Sequence, residues 1–184
     1  FSGHKFHAVR GVGFVYKKAG KKITPLLTGG GQEKDFRSTT ENVAGIASMA
    51  KALRLVTDKE EFSLPKIAKM KKIIFDELAK YEDITIFSGE GEDFAPNILT
   101  FGIKGVRGEV IVHAFEEHQI YISTTSACSS KAGKPAGTLI SMGVPTKLAQ
   151  TAVRISLDDD NDMGQVEQFL TIFKQVYAKT QKVR

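Results

Sequence analysis

The stretch Ile120-Tyr-Ile-Ser-Thr-Thr-Ser-Ala-Cys-Ser-Ser-Lys131 contains Cys128, the only cysteine among the 184 residues of the chain. Its apolar start predicts a short strand over residues 120–123, and the small hydroxyl residues after it predict a solvated loop with the thiol near its root. Nearby Lys131 and Lys134 would favour the nucleophilic thiolate form. A lone cysteine is more often a small buried apolar residue, so the loop by itself leaves both interpretations open.

Strands and helices alternate on both sides of this loop. Short apolar segments predict strands over residues 84–87 and 97–103, and alternating apolar residues predict a third over residues 153–157. Apolar residues at helical spacing predict helices over residues 109–118, 138–142, 147–151 and 163–182. In the first of these helices, the residues expected to face inward are Val110, Ile111, Ala114 and Phe115. This mixture of strands and helices predicts an α/β or α+β fold.

The first part of the chain has a different pattern, with two short strands followed by two helices. These elements are predicted over residues 11–16, 23–27, 43–53 and 62–81. Thr39 or Thr40 is the expected N-cap of the first helix, and Pro65 suits the first turn of the second. A domain boundary is predicted between the two helices, which divides the chain into residues 1–62 and 63–184.

Functional side chains are dense at the very start, in Phe1-Ser-Gly-His-Lys-Phe-His7. Ser2 and His4 could donate hydrogen bonds to a phosphate, and Lys5 could form an imine with an aldehyde cofactor. The same residues are also typical of a solvated polar segment, and spacing alone favours that second interpretation.

Glycines and hydroxyl residues precede the first predicted helix. Thr28-Gly-Gly-Gly-Gln-Glu33 requires a sharp turn or a close approach of the backbone. Arg37-Ser-Thr-Thr-Glu-Asn42 comes directly before the helix, where hydroxyl groups cap the helix and where an anion can also bind. A glycine-rich turn alone is weak support for phosphate binding.

Composition narrows the class of protein. One cysteine excludes an internal disulfide framework, which makes a reducing cytoplasm the simplest compartment. The formal net charge of +5 is modest, and the basic residues are interleaved with acidic ones. We therefore expect no direct nucleic-acid partner. No run approaches the roughly 20 apolar residues of a membrane span, and we expect no membrane partner.

No metal site is predicted. His113 and His118 are five residues apart on a helix, which is a poor spacing for a shared metal. The acidic run Asp158-Asp-Asp-Asn-Asp162 lacks the glycine and the terminal glutamate of an EF-hand calcium loop. Its negative charges are better suited to stabilising the N-terminus of the last helix, which carries a partial positive charge.

Three separated motifs, in order along the chain, resemble those of the NifS/IscS-like cysteine desulfurases, a group within the class-V aminotransferase family. The matching segments are Ser2-Gly-His-Lys5 with Arg10-Gly-Val-Gly-Phe14, Gly29-Gly-Gly-Gln-Glu33 with Arg37-Ser-Thr-Thr-Glu-Asn42, and Ser126-Ala-Cys128 with Arg154-Ile-Ser-Leu157. Pro96-Asn-Ile-Leu99 also fits the family. The resemblance covers nearly the whole chain, and it implies a fold-type-I enzyme that uses pyridoxal 5'-phosphate.

The resemblance implies roles for the cofactor residues. Lys5 would bind the cofactor covalently and then act as an acid and base on the substrate. Ser2 and His4 would bind the cofactor phosphate, and Thr40 would reach the phosphate held by the other subunit of a homodimer.

It also implies a route for sulfur. Arg154 would pair with the carboxylate of L-cysteine, for which its planar fork is apt. Cys128 would attack the substrate sulfur, retain it as a persulfide and leave L-alanine as the product. The length of chain from Cys128 to Leu139 resembles the long-loop members, which pass sulfur to separate acceptor or scaffold proteins for iron–sulfur or thionucleotide synthesis.

Some positions depart from the family pattern. Thr39 replaces a glycine, residues 8–9 stand where Gly-Pro is usual, and Asp158 stands where a glycine commonly follows Arg-Ile-Ser-Leu. The family's first half, some 200 residues, has no counterpart here. We therefore expect a C-terminal portion in which residues 1–62 end the large cofactor domain and residues 63–184 form the small domain, inactive or nearly so when isolated.

Two other functions are compatible with the sequence. One is another fold-type-I enzyme, such as a selenocysteine lyase or an aminotransferase, and an aminotransferase would not need Cys128. The other is a non-catalytic small-domain module that binds sulfur-acceptor proteins. Such a module would not bind the cofactor, and its properties would not change on Lys5→Ala.

Overall fold

The computed structural model describes residues 1–91, 93–124 and 137–181. The chain divides into two compact units, Phe1–Glu61 and Phe62–Arg184. The identification of these segments with a large and a small domain remains a prediction.

The first unit contains two short turns, and neither of its predicted strands forms. Two 3-10 turns occupy Gly3–Phe6 and Gln32–Asp35. The predicted strands over residues 11–16 and 23–27 are wrong, since the only pairing in that part of the described chain is an isolated bridge between Ser2 and Gly13. Alternating apolar residues form a strand only when a neighbouring strand pairs with them and a core covers one face, and here Leu26 is 94% exposed.

Helix α1, Val43–Leu78, is continuous through the boundary between the units. The prediction of two separate helices is therefore wrong, and Pro65 lies inside the helix rather than in a first turn. The predicted N-cap is also wrong. The side-chain Oδ1 of Asn42 accepts the main-chain N–H of Gly45 at 3.1 Å, and it thereby satisfies a free donor of the first turn.

The second unit is built on a four-stranded antiparallel sheet. Its strands are β1 (Ile84–Ile86), β2 (Ile98–Ile103), β3 (Ser123–Thr124) and β4 (Ala152–Ser156), in the order β1-β2-β4-β3. The helices are α2 (Gly108–Glu116), α3 (Gly137–Ser141), α4 (Thr146–Ala149) and α5 (Met163–Gln181). This arrangement confirms the predicted mixed fold, because helices pack on an antiparallel sheet.

One face of the sheet carries the main core. Leu99, Phe101 and Val153 lie on this face and are fully buried, opposite apolar residues of α1, α2 and α5. The inward residues of α2 are Ile111 and Phe115, whereas Val110 is 54% exposed and was wrongly predicted to face inward. The apolar stripe of α2 is narrower than the sequence pattern predicted, and Val110 lies just outside it.

The last helix begins at a reciprocal cap. The Asp162 Oδ1 accepts the N–H of Gln165 at 2.9 Å, and the Gln165 Oε1 accepts the N–H of Asp162 at 3.2 Å. This pair is a capping box, with aspartate as the capping residue. The acidic run therefore stabilises the start of α5, as predicted.

The described ranges contain no helix long and apolar enough to cross a membrane.

Candidate functional site

Arg154 lies in the middle of β4, on the face of the sheet opposite the main core. The antiparallel register places it beside Thr100 of β2 on one side and Ser123 of β3 on the other. Side chains alternate between the faces of a strand, so these three share one face. Residues that sequence reasoning did not connect are thus neighbours in one row across the sheet.

The Thr100–Arg154 pair is the closer kind of cross-strand pair. The main-chain N–H of Thr100 donates to the Ser88 hydroxyl at 2.8 Å, and its carbonyl accepts the N–H of Phe87 at 2.8 Å. Both groups therefore point towards β1 and away from β4. Pairs without mutual main-chain hydrogen bonds are about 4.5 Å apart at Cα, and their side chains lie closest together.

The guanidinium of Arg154 has an unsatisfied donor. Its Nε is buried and has no hydrogen-bond partner in the described part of the chain. A buried donor without an acceptor is costly, especially on a charged group. The arrangement suits an external acceptor with two oxygen atoms, since a guanidinium presents parallel N–H groups to a carboxylate.

Strand β3 connects this row to the cysteine segment. Ser123 and Thr124 pair with Arg154 and Val153, and the chain then enters residues 125–136, which lie outside the described residues. Cys128 belongs to that range. The strand therefore directs the chain into the cysteine segment from a point next to Arg154.

A tight turn at the start of the chain bears Ser2, His4 and Lys5, which are predicted to bind the cofactor. Gly3 is buried, its N–H donates to the Val12 carbonyl at 2.8 Å, and an added Cβ would lie 3.0 Å from both that oxygen and the Ala8 Cβ. By contrast, the flanking Ser2, His4 and Lys5 are exposed. A glycine is needed here because the backbone approaches its neighbour closely, and the turn brings a hydroxyl, an imidazole and an amine together on four consecutive residues.

Thr40 follows a strained turn in the same unit. The glycine cluster leads into three consecutive residues with left-handed backbone angles, of which Asp35 has φ 67°. Thr39 also has a positive φ of 122°, and its N–H donates to the Gln32 Oε1 at 3.2 Å. Positive φ values in residues other than glycine cost free energy and occur preferentially at binding sites and switch regions. The exposed Thr40 comes directly after this constrained segment.

The predicted site residues thus fall into two groups. Ser2, His4, Lys5 and Thr40 belong to the first unit, and Arg154 belongs to the second with the strand that leads to Cys128. Sequence reasoning missed Thr100, although it is a polar residue inside an otherwise apolar strand. That signal would have identified it as a residue of the second sheet face.

Metal-binding groups are not part of this arrangement. Within the described ranges, no three or more histidine, cysteine, aspartate or glutamate side chains are grouped so that they could hold a metal ion.

The family model for class-V aminotransferases matches residues 1–169. A NifS/IcsS protein homolog from Lactobacillus delbrueckii subsp. bulgaricus is 46% identical over 183 residues, which are 100% of this chain and 48% of that protein. The cysteine desulfurase IscS of Dictyoglomus turgidum is 35% identical over 85% of this chain and 40% of its own length. The chain therefore spans about half the length of the curated relatives it matches.

Solved structures agree with the sequence relatives. A NifS-like protein superposes with a TM-score of 0.78 at 31% identity, over 97% of this chain and 45% of that one. The NifS-like protein of Rickettsia africae gives a TM-score of 0.72 at 32% identity, over 86% of this chain and 41% of that one. These likenesses confirm the predicted fold type and the predicted relationship to NifS/IscS proteins. The chain belongs to the class-V aminotransferase family.

Proposed function

We propose that this chain is part of a pyridoxal-phosphate-dependent cysteine desulfurase. The enzyme would convert L-cysteine to L-alanine and retain the sulfur as a persulfide on Cys128. The proposal is supported by the three motifs and by relatives named as cysteine desulfurases. Because the chain spans about half of those relatives, the reaction is proposed for the intact protein that contains it.

The observation that carries the proposal is the buried, unpartnered Nε of Arg154 beside the strand that leads to Cys128. An amino-acid substrate supplies the missing acceptor through its carboxylate. Arg154 would hold that carboxylate, so that the substrate lies near the start of the cysteine segment. The same arrangement fixes the orientation of the substrate before reaction.

The residues of the first turn fit the cofactor. Pyridoxal phosphate presents an anionic phosphate and an aldehyde, and the exposed side chains of Ser2, His4 and Lys5 supply two phosphate donors and an amine. The close packing around Gly3 fixes the turn that bears them. When bound, the cofactor withdraws electrons from the Cα of an amino acid and so allows its bonds to be broken.

This chain's own residues would complete the chemistry. The Lys5 amine would remove and return the proton at Cα. The Cys128 thiolate would form a sulfur–sulfur bond with the substrate as the carbon–sulfur bond breaks. The electron pair would remain on the substrate carbon, which gains a proton and becomes L-alanine.

The proposal extends to the assembly. The intact protein would be a cytoplasmic homodimer in which Thr40 reaches the cofactor phosphate of the other subunit. The persulfide would then be passed to an acceptor or scaffold protein for iron–sulfur or thionucleotide synthesis. Residues 1–62 would end the large domain, and residues 63–184 would form the small domain. Without the remaining half, we expect little or no activity.

The test measures L-alanine formed from L-cysteine by the intact, cofactor-loaded protein, together with its mass after one turnover. We expect alanine and the added mass of one sulfur atom on Cys128. The C128S variant should form neither, and the neighbouring S129A should behave as wild type. Full alanine formation by C128S would contradict the persulfide route. Consumption of L-cysteine by C128S without release of alanine would favour an aminotransferase, and alanine formed from L-selenocysteine alone would favour a selenocysteine lyase. A protein without visible cofactor absorbance, unchanged by K5A, would be a non-catalytic binding module.

A further inference from the structure

We propose that Thr100 is a positioning residue for Arg154. Its side chain would form a wall against the stem of Arg154 and restrict the orientations of the guanidinium. The effect on catalysis rests on the proposed function, because it concerns recognition of the substrate carboxylate. The effect on the arginine itself does not depend on any reaction.

The register is the first step. Thr100 and Arg154 are directly opposite each other, and the main-chain groups of Thr100 point towards Phe87 and Ser88 rather than towards β4. In such a pair the two side chains are as close as cross-strand neighbours become. Thr100 is only 9% exposed, so its side chain is held within the protein beside the base of Arg154.

The second step concerns the kind of contact. The Arg154 Nε has no hydrogen-bond partner among the residues that the structure describes, so the Thr100 hydroxyl does not accept from it. What Thr100 offers is its shape. A β-branched side chain has few allowed rotamers, and it presents a rigid surface to the long, flexible arginine stem.

The third step relates the restricted motion of Arg154 to binding of the substrate carboxylate. Arginine has high rotamer entropy, and much of it must be lost before both donors can face one carboxylate. A wall that removes unproductive orientations in advance reduces that loss on binding. Variants that keep the branched shape should therefore preserve recognition, whereas variants that lose it should weaken binding of the carboxylate.

The direct test is nuclear magnetic resonance relaxation of the Arg154 Nε–H group in the intact protein, which requires no turnover. We expect T100A and T100S to lower its order parameter, and T100V to keep the wild-type value. Thr85 provides the matched control, because it lies on the same sheet face but opposite Gly102. T85A should leave the Arg154 signal unchanged.

The second measurement compares KM values for L-cysteine and for its methyl ester, which lacks the charged carboxylate. T100A and T100S should raise KM for L-cysteine severalfold, while T100V restores it and kcat changes little. KM for the ester should be the same in all variants. A general loss of structure would instead affect both compounds and would also lower the melting temperature.

Two results would overturn the proposal. One is an Arg154 order parameter in T100A equal to that of wild type. The other is the reverse ranking, with T100S normal and T100V impaired, which would assign the effect to the hydroxyl group. A wild-type protein that fails to form alanine but shows the expected relaxation pattern would refute the proposed function and leave the positioning role of Thr100 supported.

Discussion

The side-chain Nζ of Lys71 on α1 donates to the main-chain oxygen of Ala95 at 2.9 Å. The same Nζ donates to the oxygen of Gly89 at 3.1 Å, so one buried amine holds both ends of the loop that precedes β2. Burial lowers the pKa of Lys71, and the charge of Glu90 opposes that shift. The loop is thus attached to α1 at a point where charging the amine costs free energy.

Replacement of Lys71 by methionine should destabilise the protein by about 1–3 kcal/mol, because two partly buried carbonyl groups lose their donor. Urea denaturation measures this change in the free energy of unfolding. K69M alters an exposed lysine of the same helix and should have little effect. Equal stability of K71M and K69M would show that water replaces the amine at both carbonyls.

The Glu77 carboxylate should make the free energy of unfolding depend on pH in the acidic range. Its side chain is 12% exposed and lies 2.6 Å from the Lys80 Nζ and 3.3 Å from the Lys174 Nζ. The hydrogen bond from Lys80 is the main reason that its pKa lies below the ordinary value of 4.5. Because the unfolded state binds this proton more readily, the stabilisation is complete above 4.5 and is lost as the pH falls through the folded pKa.

The E77Q variant should therefore be less stable than wild type near neutral pH, by about 1 kcal/mol. The difference should shrink as the pH falls below 4.5, when the wild-type carboxylate also becomes neutral. Thermal unfolding across this pH range tests the prediction, with E82Q as the control at an exposed glutamate. A difference that stays constant with pH would assign the effect to packing rather than to charge.

Gly102 of β2 leaves room for Thr151. A Cβ at Gly102 would overlap the Thr151 hydroxyl and lie 3.1 Å from its Cβ, and that hydroxyl already donates to the Leu148 carbonyl at 2.7 Å. G102A should destabilise the protein by about 1–3 kcal/mol through overpacking. Calorimetry of G102A, T151A and the double variant should show partial rescue in the double variant.

The control for overpacking is Gly137 at the start of α3, where a Cβ would meet open space. G137A should be neutral or slightly stabilising, because alanine favours a helix over glycine. Additive costs of G102A and T151A, with no rescue, would mean that the two residues do not compete for the same space.

The second unit could be predicted from local patterns because its apolar periodicity matches its burial. In α5, residues such as Val166 and Phe173 are spaced as one helical face and are buried together. The apolar segment over residues 97–103 correctly predicted a strand, and β2 is buried from Leu99 to Ile103. Here the local pattern and the tertiary environment agree, as expected for a consistent sequence.

Other features of the fold depend on tertiary contacts that a local sequence pattern does not specify. The segment around Tyr16 alternates like a strand, but the described chain offers it no neighbouring strand, and Tyr16 is 76% exposed. Pro65 normally favours a helix start, yet α1 accommodates it in its interior. The pairing of Thr100 with Arg154 joins strands more than fifty residues apart, and register between such strands is set by tertiary packing.

Arg154 offers the sharpest test of the candidate site, through Arg154→Lys. Lysine keeps the positive charge, but it replaces a planar fork with a single ammonium and removes the buried Nε. We expect the R154K form of the intact, cofactor-loaded enzyme to bind L-cysteine about tenfold more weakly, with a smaller change in kcat. Initial-rate kinetics separates the two effects.

The matched control for this change is R107K, since Arg107 precedes α2, is exposed and pairs with Glu109 at 3.1 Å. R107K should have wild-type kinetics and stability, because exposed ion pairs contribute little. The methyl ester of cysteine completes the test: R154K should discriminate poorly between L-cysteine and its ester, whereas wild type should prefer the free carboxylate. An unchanged preference in R154K would mean that another residue holds the carboxylate, and that the buried Nε of Arg154 has a different acceptor.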